Sequence, residues 1–231
     1  MTVELADLPW PEIGERAAGG ALIAVPLGST EQHGPHLPLS TDTDLAVALC
    51  RRLALHRRDV LVAPAVPYGS SGEHAGFAGT LSIGQAATEE LVVELVRSAT
   101  DTFGHVLLVS AHGGNAEPVR RAVARLTAEA RDVLLFEAVW PGDAHAGRSE
   151  TSLQLHLRPE LVRHELAAAG DRRPLAEVLP QLRRGGVRAV SANGVLGDPT
   201  GASAREGAEV LDRLVAELAR RVEVWRAACP A

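Results

Sequence analysis

The sequence predicts an α/β fold, a three-layer α/β/α sandwich with a mainly parallel central sheet. Two observations predict it: four short apolar runs are typical of strands buried on both faces, and stretches with helical periodicity lie between them. Alternating strands and helices imply parallel strands with helices on both faces of the sheet. A length of 231 residues, without an internal repeat or a low-complexity linker, suits a single domain over residues 1–231.

The predicted elements follow one another in a regular order. Each strand run is rich in valine and leucine and lacks the polar alternation of a solvent-facing strand. The predicted strands cover residues 21–27, 60–63, 106–109 and 133–136, and the predicted helices cover 43–56, 85–103 and 117–131.

The C-terminal third is predicted in two parts. Residues 172–198 carry prolines and glycines without a clear period, so we expect an irregular excursion that serves as a lid or an oligomer contact. Ser203 and Glu206 have the spacing of a capping box, which predicts the start of a long helix packed on the sheet or on a neighbouring subunit. The apolar stripe of that helix contains Val210, Leu211, Leu214, Leu218 and Val222.

The composition excludes several classes of function. All 23 basic residues are arginines, so the chain has neither a Schiff-base lysine nor a Walker A lysine. A net charge of −6 argues against nucleic acid as a partner, because phosphate neutralisation needs clustered basic charge. Cys50 and Cys229 sit in unrelated contexts and form no disulfide framework.

The sequence also argues against membrane insertion and secretion. No apolar run approaches the ~20 residues of a membrane span. The first residues lack the basic and apolar regions of a signal peptide. We therefore expect a cytoplasmic protein without a membrane partner.

Histidine-rich polar segments follow the predicted strands, where open α/β sheets bind their ligands. Glu31 and His33 are two residues apart, so in an extended segment they point the same way. Asp42 begins the next predicted helix, where a carboxylate is either a ligand or an N-cap. His112 follows the third strand and is either structural or a ligand. Together, imidazoles and carboxylates converging on one edge predict a divalent metal site.

Other catalytic patterns are weak or missing. The segment His112-Gly-Gly-Asn does not fit a dinucleotide fingerprint, and no Gly-x-Ser-x-Gly elbow occurs. Neither cysteine lies near a histidine-rich segment, which disfavours a cysteine nucleophile. Four histidines lie within or beside predicted helices and strands and are interpreted as surface or packing residues: His56, His105, His156 and His164.

Four motifs, in order over roughly residues 20–155, resemble the creatininase (creatinine amidohydrolase) family. They are Gly28-Ser-Thr-Glu-Gln-His-Gly-Pro-His-Leu-Pro-Leu-Ser-Thr-Asp-Thr-Asp44, Glu73-His-x-x-Phe77-x-Gly79-Thr80, His112-Gly-Gly-Asn115 and His145-Ala-Gly-x-x-Glu150-Thr-Ser. The resemblance implies an α/β/α fold, two divalent metal ions (Zn²⁺, Fe²⁺ or Mn²⁺) and hydrolysis of a C–N amide bond.

The resemblance also implies the ligands. By motif, Glu31 and His112 bind one ion, and Asp42 bridges to the other. His33 and Glu150 complete the second ion's set.

The leaving nitrogen of such a hydrolase must gain a proton. His145, beside Glu150 on the same predicted loop and not a predicted ligand, is the candidate shuttle; its alternative role is a hydrogen bond to Glu150. The second choices, His36, Glu73 and His74, are equally able to orient the ligands.

Two departures bear on the substrate. Ser110-Ala111 stands where the family usually has Asn-Gly, and Gly114 stands where creatininase proper has a metal-binding glutamate, which argues against creatinine. The length and composition resemble a peptidase branch of the family that releases a modified C-terminal Val–Tyr dipeptide from a ribosomally made precursor peptide. The alternatives are a hydrolase of a small cyclic amide or formamide and, from another class, a non-catalytic metal-binding scaffold protein. The family forms hexamers from dimers, so a homo-oligomer is expected.

Overall fold

A computed structural model describes residues 3–228, which fold around one four-stranded parallel sheet of order β2-β1-β3-β4. The strands are β1 (Leu22–Leu27), β2 (Val60–Val62), β3 (Val106–Ser110) and β4 (Val133–Glu137). The helices are α1 (Trp10–Ala18), α2 (Thr41–His56), α3 (Gly84–Ala99), α4 (Ala116–Ala128), α5 (Arg148–Leu157), α6 (Leu175–Val190) and α7 (Ala204–Ala228).

The sheet separates two apolar layers, which confirms the predicted α/β/α sandwich. Leu22 and Ala24 of β1 pack with α2 and α7 on one face. Ile23 and Val25, pointing the opposite way, pack with α3 and α4 on the other. Each fully buried large aliphatic side chain contributes about 1.5–3 kcal/mol relative to exposure, so these two layers hold the fold together.

The strand order places a binding crevice between β1 and β3. From β1 the chain crosses to β2 on one side and then returns to β3 on the other. Loops leaving β1 and β3 therefore diverge and open a crevice at their carboxyl ends.

The prediction of an irregular excursion was wrong for residues 175–190, which form α6. Leu175, Val178, Leu179 and Leu182 recur at helical spacing. Pro180 lies inside the helix, and Gly186, with φ 68° and ψ −174°, kinks it. Proline and glycine both disfavour the helix interior, so their presence led to the wrong prediction of an irregular segment.

The capping box predicted at the start of α7 is confirmed in part. Ser203 Oγ accepts a hydrogen bond from the Glu206 N–H at 3.2 Å, as a capping box requires. The reciprocal bond does not form, because the Glu206 carboxylate pairs with Arg148 and the Ser203 N–H donates to Ser152 Oγ.

Helices α1 and α5 were not predicted. Because α5 starts at Arg148, Glu150 lies in its first turn, not on the loop of His145 as predicted. Gly207 lets α7 approach α5 closely, since a Cβ there would overlap the carbonyl of Ser152.

No helix within residues 3–228 is long and apolar enough to cross a membrane. Cys50 is a buried core residue on α2 with a free thiol, and Cys229 lies outside the described residues. His105, one of the predicted packing histidines, contacts Asp132 and forms a T-shaped ring contact with Trp225.

Candidate metal centre

Five buried carboxylate and imidazole side chains meet beyond the carboxyl ends of β1 and β3. Two of them follow β1, one follows β3, and two lie in the first turns of α2 and α5. They are Glu31, His33, Asp42, His112 and Glu150, each at most 7% exposed.

Asp42 stands at the centre of this cluster. Its Oδ1 lies 3.1 Å from His33 Nε2, and its Oδ2 lies 3.1 Å from His112 Nδ1. It shares one set of mutually close donor atoms with Glu31 and His112, and a second with His33 and Glu150. The alternative role of Asp42 as an N-cap is wrong: Ser40 holds that position, and the carboxylate points into the cluster.

The backbone sets the tautomers of the two histidines that face Asp42. His33 Nδ1 lies 3.2 Å from the carbonyl oxygen of Glu31, and His112 Nε2 lies 2.9 Å from that of Ser70. A carbonyl oxygen only accepts, so these ring nitrogens carry the hydrogen. In the neutral imidazoles, the remaining nitrogens turn their lone pairs toward the two oxygens of Asp42.

This donor set fits metal cations. An imidazole lone pair and a carboxylate oxygen 3.1 Å apart repel each other unless a proton or a cation lies beside both. Glu31 Oε2 is buried and has no hydrogen-bond partner within residues 3–228. In the same part of the chain, the ion-pair partners of Glu31 and Asp42 are all histidines. Buried carboxylates need compensating positive charge, and N/O-bound divalent cations supply it.

The pKa values within the cluster depend on burial and on mutual charge. Burial raises the pKa of Glu31 and of Glu150 to about 7. Burial would also raise the pKa of Asp42, but the charge of His33 holds it well below its usual range. Although burial opposes the effect, Asp42 raises the pKa of His33 to about 10, and Glu31 raises that of His112 to about 10. Protons therefore occupy the cluster whenever no cation does.

His145 approaches the cluster from the loop before α5. Its Nε2 lies 2.8 Å from the backbone carbonyl oxygen of Gln32 and so carries the hydrogen. Nδ1 faces the cluster, 4.0 Å from Glu31 Oε1. Burial, and then the charge of His33, keeps the pKa of His145 well below its ordinary value, so the ring is neutral near pH 7. The ring also groups with Glu31 and His33 at ligand distances, so it is placed either to move a proton or to bind a metal.

The two other candidate histidines occupy different places. His74 Nε2 lies 3.2 Å from Glu31 Oε1, and burial, then the charge of His33, lowers the pKa of His74 to about 3. His36 is fully buried behind the cluster, with Nε2 2.8 Å from Thr151 Oγ1 and no partner for Nδ1 within residues 3–228. Burial, then the charge of His33, lowers its pKa to about 4. His74 touches a candidate ligand, whereas His36 lies outside the cavity over the site.

A carboxylate fills the space beside Gly114. A Cβ on this residue would overlap the Ser70 carbonyl oxygen and Oε1 of Glu73. Glu73 Oε1 also lies 3.9 Å from His112 Nε2, and its side chain is 36% exposed. Gly114 itself offers no side chain, and the carboxylate of Glu73, from another loop, occupies the space beside it.

A cavity of about 870 Å³ opens over the cluster. This volume lies near the upper end of the ~300–1,000 Å³ usual for ligand sites and leaves room for a short peptide segment. Helix α6 contributes Leu175, Leu179, Leu182 and Arg183 to the lining. Glu73, His74 and His145 also line the cavity, and the backbone of Glu73 packs against α6 at Gly186.

Sequence reasoning missed Ser29, Gln32 and Asn115, which hold the site in place. Ser29 Oγ donates to Asp42 Oδ2 at 2.6 Å. Asn115 Oδ1 accepts from the Ser70 N–H at 2.9 Å and so fixes the carbonyl that orients His112. Each of the three lies inside one of the four motifs, and that position is the one signal that could have found them.

Buried carboxylates and imidazoles at the switch point of a parallel sheet, under a large cavity, are typical of a metal-dependent α/β hydrolase. The chain belongs to the creatininase family: residues 6–222 match the family profile, described as creatinine amidohydrolase. The match confirms the resemblance carried by the four motifs.

Relatives and solved structures extend this similarity. The mycofactocin precursor peptide peptidase of Mycobacterium tuberculosis is 51% identical over 213 residues, covering 88% of this chain and 85% of that one. The protein of the same name from Mycolicibacterium smegmatis is 48% identical over 211 residues, with 89% and 85% covered. A solved structure named "Creatininase Mn" superposes with a TM-score of 0.83 at 26% identity and covers all of both chains.

Proposed function

We propose that the protein is a metal-dependent peptidase that releases the modified C-terminal Val–Tyr dipeptide from the mycofactocin precursor peptide. The observation that carries the proposal is 51% identity, over 88% of the chain, to a protein named as that peptide's peptidase. The cavity of about 870 Å³ supports it by leaving room for a peptide end over the cluster. Residues 1–231 are proposed to form one domain.

Two divalent ions, Zn²⁺ and/or Fe²⁺, or Mn²⁺, are the proposed cofactors. Glu31 and His112 would hold one ion, His33 and Glu150 would hold the other, and Asp42 would belong to both sets. Imidazole and carboxylate donors suit all three metals, and the name of one solved relative, "Creatininase Mn", includes manganese. When bound, the ions would supply a nucleophile at neutral pH by acidifying water and would polarise the amide carbonyl.

His145 is proposed to move the proton that the leaving nitrogen needs. Its Nε2–H is held by the Gln32 carbonyl, so Nδ1 faces the cluster with a lone pair. Because burial keeps the ring neutral, it can accept a proton from water and deliver it to the nitrogen. Glu73 lines the same cavity and is proposed to orient the substrate.

Mass spectrometry on the metal-loaded protein and the modified precursor peptide tests the function, and the released dipeptide is the expected product. Turnover of creatinine or formamide without peptide cleavage would favour a small-amide hydrolase. Metal binding without turnover of any of these compounds would favour a non-catalytic scaffold protein.

Metal binding is expected to release roughly three protons per chain near pH 7. His33 and His112, with pKa values of about 10, each hold a proton in the apoprotein, and Glu31 and Glu150, with pKa values of about 7, are half protonated. All four must lose their protons to coordinate, so metal affinity should rise with pH up to about pH 10, most steeply below about pH 7, where all four groups carry protons. Calorimetry in buffers of different ionisation enthalpy measures the release. Binding with no proton release would contradict these ligand assignments.

A homo-oligomer, a hexamer or another multiple of a dimer, is also proposed. β4 is an edge strand of the sheet, and Val139, just after it, is 77% exposed. Trp10 on α1 is 83% exposed. Exposed strand edges and large apolar side chains favour coverage by another subunit. Sedimentation velocity should show a species heavier than the 24.3 kDa chain, and a monomer at working concentration would contradict the proposal.

A further inference from the structure

The side-chain amide of Gln32 has a fixed orientation. Oε1 accepts a hydrogen bond from the Gly34 N–H at 2.8 Å, and Nε2 donates to the Gly194 carbonyl oxygen at 3.1 Å. The second hydrogen of Nε2 is left for His74 Nδ1, 2.9 Å away. The nearby His145 Nε2 cannot accept it, because that nitrogen already donates to the Gln32 carbonyl. His74 Nδ1 is therefore the acceptor, and the hydrogen of the neutral His74 ring is on Nε2.

The tautomer of His74 decides whether a donor or a lone pair faces the Glu31 carboxylate. His74 Nε2–H faces Glu31 Oε1 across 3.2 Å. Glu31 Oε2 is buried and has no hydrogen-bond partner within residues 3–228. Glu31 Oε2 lies 3.2 Å from His112 Nε2, so each oxygen of the carboxylate faces one imidazole nitrogen.

The backbone at Gly194 leaves room for the side-chain amide of Gln32. Gly194 has φ 81°, and a Cβ there would overlap Oε1 of Gln32. Gln32 and His74 are both at most 5% exposed, so water does not compete for their hydrogen bonds. The segment that follows α6 is in this way connected to the cluster by a chain of hydrogen bonds.

We propose that Gln32 is a positioning residue: it holds the Nε2–H of His74 toward Glu31 Oε1 and so fixes the orientation of the Glu31 carboxylate at the proposed metal site. The proposal rests on the proposed metal site and deepens it. If the tautomer of His74 reversed, an Nε2 lone pair would face Oε1, and the carboxylate would turn away.

A double-mutant cycle on Zn²⁺ affinity, measured by chelator competition, tests the proposal. His74→Phe removes the donor and should weaken Zn²⁺ binding about 10- to 100-fold. Gln32→Met removes the amide without adding charge and should weaken it by a smaller factor. Because Gln32 acts through His74, the double variant should match His74→Phe alone. Gln85→Met, an exposed position on α3, is the matched control and should bind Zn²⁺ like the wild type.

Nitrogen-15 NMR of the zinc-loaded protein gives a readout independent of affinity. The wild type should show the His74 hydrogen on Nε2, and Gln32→Met should show a mixture of both tautomers. A wild-type hydrogen on Nδ1, an unchanged tautomer in Gln32→Met, or additive affinity losses would each overturn the proposal. If the wild type binds no metal, the proposed metal site fails, while the NMR of the apoprotein still decides the bond between Gln32 and His74.

Discussion

Asp42→Ala is expected to remove both metal ions and to lower turnover by at least about 10³-fold, since metal catalysis is worth several kcal/mol. Each oxygen of Asp42 faces a different histidine, His33 or His112, at 3.1 Å. Removing the carboxylate leaves both sets of donors one ligand short. Elemental analysis of the purified variant measures the loss directly.

Asp44→Ala is the matched control for this experiment. Although it lies only two residues away, Asp44 pairs with Arg158 and accepts from Ser40 Oγ, outside the cluster. This variant should keep both ions. Full metal retention in Asp42→Ala would show that another residue bridges the two sites.

His145→Ala is expected to lower kcat by about 10²–10⁴-fold while both ions stay bound. The loss follows from removing Nδ1, the ring nitrogen that faces the cluster. Burial keeps the pKa of His145 well below 6.5, so the neutral, active form should persist as the pH falls through that value. Steady-state kinetics on the modified precursor peptide, with elemental analysis of the same sample, checks both expectations.

His56→Ala, at the exposed end of α2, controls for the loss of an imidazole and should behave like the wild type. Wild-type turnover of His145→Ala would exclude a role in proton transfer. Loss of an ion would instead make His145 a ligand, in the group it forms with Glu31 and His33.

The strands and the order of the helices follow from local sequence. Each strand is an uninterrupted apolar run, and the structure places it within about one residue of the predicted bounds. The missed helices lack that signal for different reasons. No side chain of α1 is fully buried. The first residues of α5 are polar, and among them Glu150 faces the cluster instead of water. α6 contains Pro180 and Gly186.

The site is predictable only in part. The motif loops can be assigned to one edge of the sheet, because strands of a parallel sheet all end there. The hydrogen bond between Gln32 and Gly194 joins residues 162 positions apart, and no local pattern contains it. Likewise, the proximity of Glu73 and Gly114 depends on how two loops meet in the folded chain.

The backbone carbonyls that orient the histidines of the cluster also affect which substitutions the site tolerates during evolution. His33, His112 and His145 are each oriented by a peptide carbonyl, and every amino acid supplies a peptide carbonyl. A codon change at the anchoring position therefore leaves the acceptor in place unless it moves the loop. His74 alone among these rings takes its orientation from a side chain, that of Gln32. Among substitutions that leave the ligands unchanged, those at Gln32 are therefore expected to alter metal affinity most.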